Sequence, residues 1–176
     1  MNARSLHRRL APAIVVPLAL TVVSGMAFRV GRSWFGLSAD FGRWMMALHE
    51  GRYLGEQLVP LYVLSVGLAL LAMIGSGLSL LRRRKQRSWH GWLAPLLFAP
   101  LMVSAITGIS FRLGKAWFDL PAPAAHWLLK VHQGSYLGKD LRVIYVLLLG
   151  LGALALLGTG LGMTSLWRRR SAGFGG

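Results

Sequence analysis

Four apolar runs without a single charged side chain, residues 10–28, 58–81, 91–111 and 143–167, constrain this chain more than any other feature of it. Each is close to or above the roughly 20 residues that an α-helix needs to cross the hydrocarbon core of a bilayer. Transmembrane β-strands would alternate at a period of two, and these runs are continuous, so a β-barrel is excluded. In hydrocarbon the backbone has to satisfy its own hydrogen bonds, which leaves the helix as the fold of such runs. The expected architecture is an all-α integral membrane protein with four transmembrane helices, at about 10–30, 57–81, 91–112 and 141–167. Pro12, Pro17, Pro95 and Pro100 fall in the first half of the first and third helices. Neighbouring helices compensate the lost backbone bonds there. The first run is too long and too marked by proline for a cleaved signal peptide.

The runs come in two pairs because the chain contains one unit twice, displaced by 132 − 49 = 83 positions without a gap. Leu48-His49-Glu50-Gly51-Arg52-Tyr53-Leu54-Gly55 returns as Val131-His132-Gln133-Gly134-Ser135-Tyr136-Leu137-Gly138. His7 maps to His90, Ser24-Gly25 to Thr107-Gly108, Phe28-Arg29 to Phe111-Arg112, and Gly75-Ser76-Gly77-Leu78 to Gly158-Thr159-Gly160-Leu161. The expected units are residues 1–87 and 88–170, followed by a disordered tail at 171–176. Two crossings per unit give both halves the same topology, related by an axis along the membrane normal. Equivalent residues then lie at equal depth. Between the crossings of each half the sequence places a short amphipathic outer helix, 41–49 and 124–132. Trp34, Trp44, Trp117 and Trp127 suit the membrane–water interface.

Charge settles orientation and excludes some functions. The net charge of +15 invites a nucleic-acid reading, but the basic clusters punctuate apolar runs instead of forming one basic face, so no nucleic-acid partner is expected. Arg4, Arg8 and Arg9, then Arg82, Arg83, Arg84, Lys85 and Arg87, then Arg168, Arg169 and Arg170 crowd one side. All five acids, Asp40, Glu50, Glu56, Asp119 and Asp140, fall on the other. The positive-inside rule therefore puts both termini in the cytoplasm. With no cysteine, disulfides, thiolate metal sites and iron–sulfur clusters are excluded. No charged residue interrupts a run, which argues against a proton-coupled transporter.

Four of the five histidines form two repeat-related pairs. His49 with His132 belongs to the outer end of the bundle and His7 with His90, just before helices one and three, to the inner end. A b-type haem requires two neutral imidazoles, an apolar slot between helices and cations near its propionates. Small residues at Ser24-Gly25 and Thr107-Gly108 open such a slot, and Arg29, Arg52 and Arg112 stand at the level of the propionates. Gly75-Ser76-Gly77 and Gly158-Thr159-Gly160 do the same at the inner level, beside Arg8, Arg9 and the Arg82–Arg84 cluster. The alternative is that these are interfacial histidines, tolerated where the bilayer is wet. The small residues equally serve close helix packing, as Gly158-x-x-x-Gly162 illustrates. His126 aligns with Arg43 and reads as a plain interface residue.

Several of these segments resemble the PepSY-associated transmembrane helix family. Leu6-His7-Arg8 looks like the opening of its helix pairs. Leu48-His49 through Leu54-Gly55, closing in Ser76-Gly77-Leu78 and Arg82, looks like a later helix of that family. Val131-His132, Leu137-Gly138, Thr159-Gly160-Leu161 and Arg168 match in the second half, so the resemblance covers nearly the whole chain. It implies relatives of ferric-siderophore reductase membrane domains, with His49, His132, His7 and His90 as axial ligands of b-type haem. The chain departs from that pattern in having only short outer linkers where a PepSY domain would sit, and no flavin or nicotinamide domain. Gly91 also follows His90 where Arg8 follows His7.

The expected function is thus electron transfer through one or two b haems, as the membrane module of a ferric or other periplasmic reductase. The electron donor would be a cytoplasmic partner or quinol. The competing expectation is a cofactor-free subunit that supports assembly of a larger inner-membrane complex.

Overall fold

The computed structural model describes residues 2–81 and 88–163. These residues are helical, with no strand among them, and the order long helix, short helix, long helix occurs twice. The elements are α1 (Ala3–Ser33), α2 (Ala39–Glu50), α3 (Val59–Leu81), α4 (Trp89–Trp117), α5 (Ala122–His132) and α6 (Leu141–Gly162). Short 3₁₀ turns, Arg52–Leu54, Glu56–Leu58 and Ser135–Leu137, lead into α3 and α6. The clusters at 82–87 and 168–170, the end of the fourth run at 164–167 and the tail at 171–176 lie outside the described residues.

Four helices are long and apolar enough to cross a membrane. α1 and α4 extend past the apolar runs at both ends. They enclose His7 and His90, expected to precede them, and they carry Arg29 and Arg112 within the helix, ahead of the last turn. The physical reason is that a helix continues while its backbone bonds are satisfied, and arginine favours it nearly as well as alanine. Local backbone chemistry sets the ends instead. Asn2 accepts from the Ser5 amide and Ser88 from the Gly91 amide to start α1 and α4. Gly36 and Asp119, at equivalent positions, both turn into the left-handed region to stop them. The internal prolines do not divide either helix.

α1 packs on α3 and α6, and α4 packs on the same two, so α1 and α4 stand diagonally across the bundle. α2 lies against α1 and α5 against α4. The buried interior is thin: Ala11, Ile14, Leu18, Val59, Leu97, Leu101, Val143 and Ala153 supply it. Large apolar side chains such as Val16, Leu68, Leu96, Leu148 and Leu151 cover the outside. Helices apolar on their outer faces are stable only where the surroundings are also apolar.

Candidate functional site

The short helices bring the outer histidines into the bundle. α2 starts at Ser38, whose side chain accepts from the Phe41 amide, and ends where Gly51 adopts φ of +76°. That left-handed turn, which only glycine adopts without strain, seats the backbone directly on the Tyr62 ring. His49 lies in the last turn before it, and its ring rests on Gly25 of α1. The second half repeats the device with Gly134 at φ of +65° on Tyr145 and with His132 on Gly108 of α4. Neither α1 nor α4 has a Cβ at this point, and the imidazoles occupy that space.

His49 Nδ1 lies 2.8 Å from the Thr21 carbonyl, and His132 Nδ1 lies 2.9 Å from the Ser104 carbonyl. A carbonyl oxygen can only accept, so Nδ1 carries the proton on both rings. The neutral imidazole then presents Nε2 as an unprotonated donor to a metal. Burial holds the His49 ring below its ordinary value, with Arg112 adding to that and the Thr21 carbonyl and Glu50 opposing it. Burial, reinforced by His49, pushes His132 down to about 4. Both rings are neutral at pH 7, the state in which imidazole ligates metals. Their centroids are 6.2 Å apart.

The inner pair has the same construction at one remove. His7 Nδ1 lies 3.0 Å from Ser76 Oγ, and His90 Nδ1 lies 3.1 Å from Thr159 Oγ1. Each hydroxyl already donates its proton to a helix carbonyl, Ala72 at 2.7 Å and Ala155 at 2.6 Å. The hydroxyls therefore accept from Nδ1, which again leaves Nε2 unprotonated. Here the centroids are 6.3 Å apart. His7 and His90 come from the diagonal helices α1 and α4, the two against which the outer pair rests. His7 lies 18 residues before Gly25 on α1, a rise of about 27 Å, close to the roughly 30 Å of a hydrocarbon core.

Two imidazoles that share one metal ion in line have a predictable spacing. With a metal–nitrogen bond of about 2 Å and a ring nitrogen roughly 1.1 Å from its centroid, the centroids stand about 6.2 Å apart. Both pairs have this spacing. Among the described residues no group of three or more His, Cys, Asp and Glu is placed to hold a metal ion. A bare zinc or copper ion needs three or four protein ligands. Two would be enough for a metal that brings its remaining ligands with it, as the iron of a haem does. A cavity of about 250 Å³ adjoins the outer pair, lined by apolar side chains, by Gly25 and Gly108, and by both histidines. The donor chemistry and the glycine cradle fit b-type haem.

The three arginines expected near propionates separate. Arg29 and Arg112 line the cavity. Arg112 pairs with Glu50, which Arg52 Nη2 also contacts at 2.8 Å. Arg52 is partly exposed and is not among the cavity-lining residues. Arg29 is buried and donates to Gln133 Oε1 at 2.6 Å. His126 is exposed on α5, away from both pairs. Thr21, Ser104, Glu50, Gln133 and Arg142 carry no assigned role in the sequence, although Thr21 and Ser104 are repeat equivalents that both carry a hydroxyl. No family model, no curated protein and no solved structure matches the chain.

Proposed function

We propose that the chain is a multi-pass protein of the bacterial inner membrane, built from two tandem helical hairpins, that carries electrons across the bilayer through b-type haem. One observation supports this reading above all: two imidazole pairs at 6.2 and 6.3 Å, every ring anchored through Nδ1, at opposite ends of one bundle. An isolated interfacial histidine needs neither a partner ring nor a fixed tautomer. Helices with apolar outer faces and exposed Trp34, Trp44, Trp117 and Trp127 at one end support the membrane location. The resemblance to the PepSY-associated transmembrane helix family points the same way and suggests ferric iron as the terminal acceptor.

When bound, the haem supplies a one-electron ferric–ferrous couple. The chain's own residues do the rest. His49 and His132 would hold the outer group and His7 and His90 the inner one. Thr21, Ser104, Ser76 and Thr159 fix the tautomers and raise the basicity of the ligands.

The test is the reduced-minus-oxidised spectrum of the purified full-length chain. Soret and α bands of a low-spin b-type centre, at up to two haems per chain, are the expected result. A colourless protein that co-purifies with other membrane subunits would refute the proposal and favour a cofactor-free assembly role.

A further inference from the structure

The two sides of the outer site differ in charge. On one side Arg112 of α4 meets the carboxylate of Glu50, shared with Arg52. On the other, Arg29 of α1 holds the equivalent position, but its partner is Gln133, a neutral amide where the first half has Glu50. Arg142, at the start of α6, adds a second positive charge that bears on Arg29, and Val59 occupies its position in the first half. No acidic side chain lies within ion-pair distance of either among the described residues. Arg29 is only 8% exposed, and Nε of both guanidiniums is buried without a hydrogen-bond partner.

Burying a charge is costly unless it is paired, and a buried donor without an acceptor adds to that cost. Arg142 does not line the cavity, so an anion that completes this arrangement accepts a charge-assisted hydrogen bond from Arg29 and is attracted by the charge of Arg142. Arg29 faces the cavity beside His49 and His132 and is nearly closed to the outside. The anion therefore belongs to whatever fills the cavity. We infer that Arg29 and Gln133, which line the outer cavity, form a binding site for a carboxylate carried by its occupant, on the α1–α6 side only, with Arg142 adding positive charge from outside the lining. Resting on the cofactor reading above, this makes the carboxylate one propionate of the outer haem. The other propionate meets an Arg112 already neutralised by Glu50.

Titration of the full-length chain, purified in detergent and stripped of pigment, tests this with two compounds: haem b and its dimethyl ester, in which both carboxylates are masked. The wild type is expected to hold the free acid at least about tenfold more tightly than the ester, the scale of one charge-assisted hydrogen bond. Arg29→Gln/Arg142→Gln should bind both compounds alike. Gln133→Glu places an internal carboxylate beside Arg29, as Glu50 lies beside Arg112, and should also erase the preference, with its helical circular dichroism unchanged. Preference retained in both variants, or absent from the wild type, overturns the inference and leaves the cofactor reading standing. A wild type that binds neither compound overturns both. Native mass spectrometry from phosphatidylglycerol bilayers adds a last arm: a lipid held by the wild type and lost from the double variant assigns the anion to a lipid phosphate and overturns the carboxylate assignment.

Discussion

Replacing Gly25 by alanine tests the outer site through a residue that supplies no ligating atom of its own. The added Cβ would stand 3.0 Å from both Cε1 and Nδ1 of His49, roughly half an ångström inside ordinary carbon contact. The crowded edge is the one that donates to the Thr21 carbonyl at 2.8 Å. The ring must therefore move off α1 by a few tenths of an ångström, and this bond stretches. A lost hydrogen bond of this kind costs about 1 kcal/mol, and losing the partner that orients a ligating histidine weakens metal retention about 10- to 100-fold. The helix gains from the same change, since alanine is favoured over glycine by about 0.8–1 kcal/mol in a helix interior. Haem content should fall while the thermal midpoint hardly moves. Gly108→Ala should act alike, because its Cβ meets His132 at 3.0 Å. Gly160→Ala meets His90 only at 3.5 Å, and Gly75→Ala meets nothing within 4 Å, so both should keep their pigment. The assay is haem per protein by pyridine haemochrome, with melting followed by circular dichroism. Full retention in Gly25→Ala refutes the reasoning, and equal loss in all four variants shows a general packing effect and refutes it too.

Three further outcomes are expected. His49→Ala or His132→Ala should each remove one low-spin centre and leave the signal of the other pair, and an unchanged spectrum rejects the ligand assignment. Gly51→Ala combines a left-handed φ with a Cβ 2.5 Å from the Tyr62 ring, which predicts a loss of about 2–4 kcal/mol in denaturant unfolding; a neutral substitution would show that the bend is not seated on Tyr62. In the pigment-free protein His132 is held at about 4, below its ordinary 6.5, so on acidification the unfolded chain takes up its proton first. The share contributed by His132 should be complete above pH 6.5, decline by about 3 kcal/mol down to pH 4 and then level off, with the lowered His49 adding a loss of the same sign. His132→Gln should make the loss shallower without abolishing it, because His49 is also held low, and a melting point that rises on acidification contradicts the sign.

The candidate site was legible in part. Histidines two residues before a glycine, twice over at one displacement, announce paired rings because a repeat supplies the second ring that a single motif lacks. Thr21 and Ser104 were not legible as their anchors. A hydroxyl in an apolar helix usually bonds its own backbone, as Ser24 does with Leu20, and the anchoring atoms prove to be carbonyls, which every residue has. Arg29, Arg52 and Arg112 looked alike in the sequence. They differ because Glu50 reaches two of them and Gln133 the third, a distinction made by side-chain reach across the bundle.

By itself the sequence determined the helices, their number among the described residues and their apolar character, because these depend on local composition and on the length of each charge-free run. It did not place the helix ends, which Asn2, Ser88, Gly36 and Asp119 control through backbone bonding. Only the tertiary structure decided that α1 and α4 are diagonal partners and that both histidine pairs bridge this diagonal. Helix adjacency arises from side-chain packing between elements far apart in the chain, and so do the 6.2 and 6.3 Å spacings of the rings. The uncompensated Arg29 and Arg142 belong to the same class: a missing counter-charge is a property of the assembled bundle, visible once every neighbour is in place.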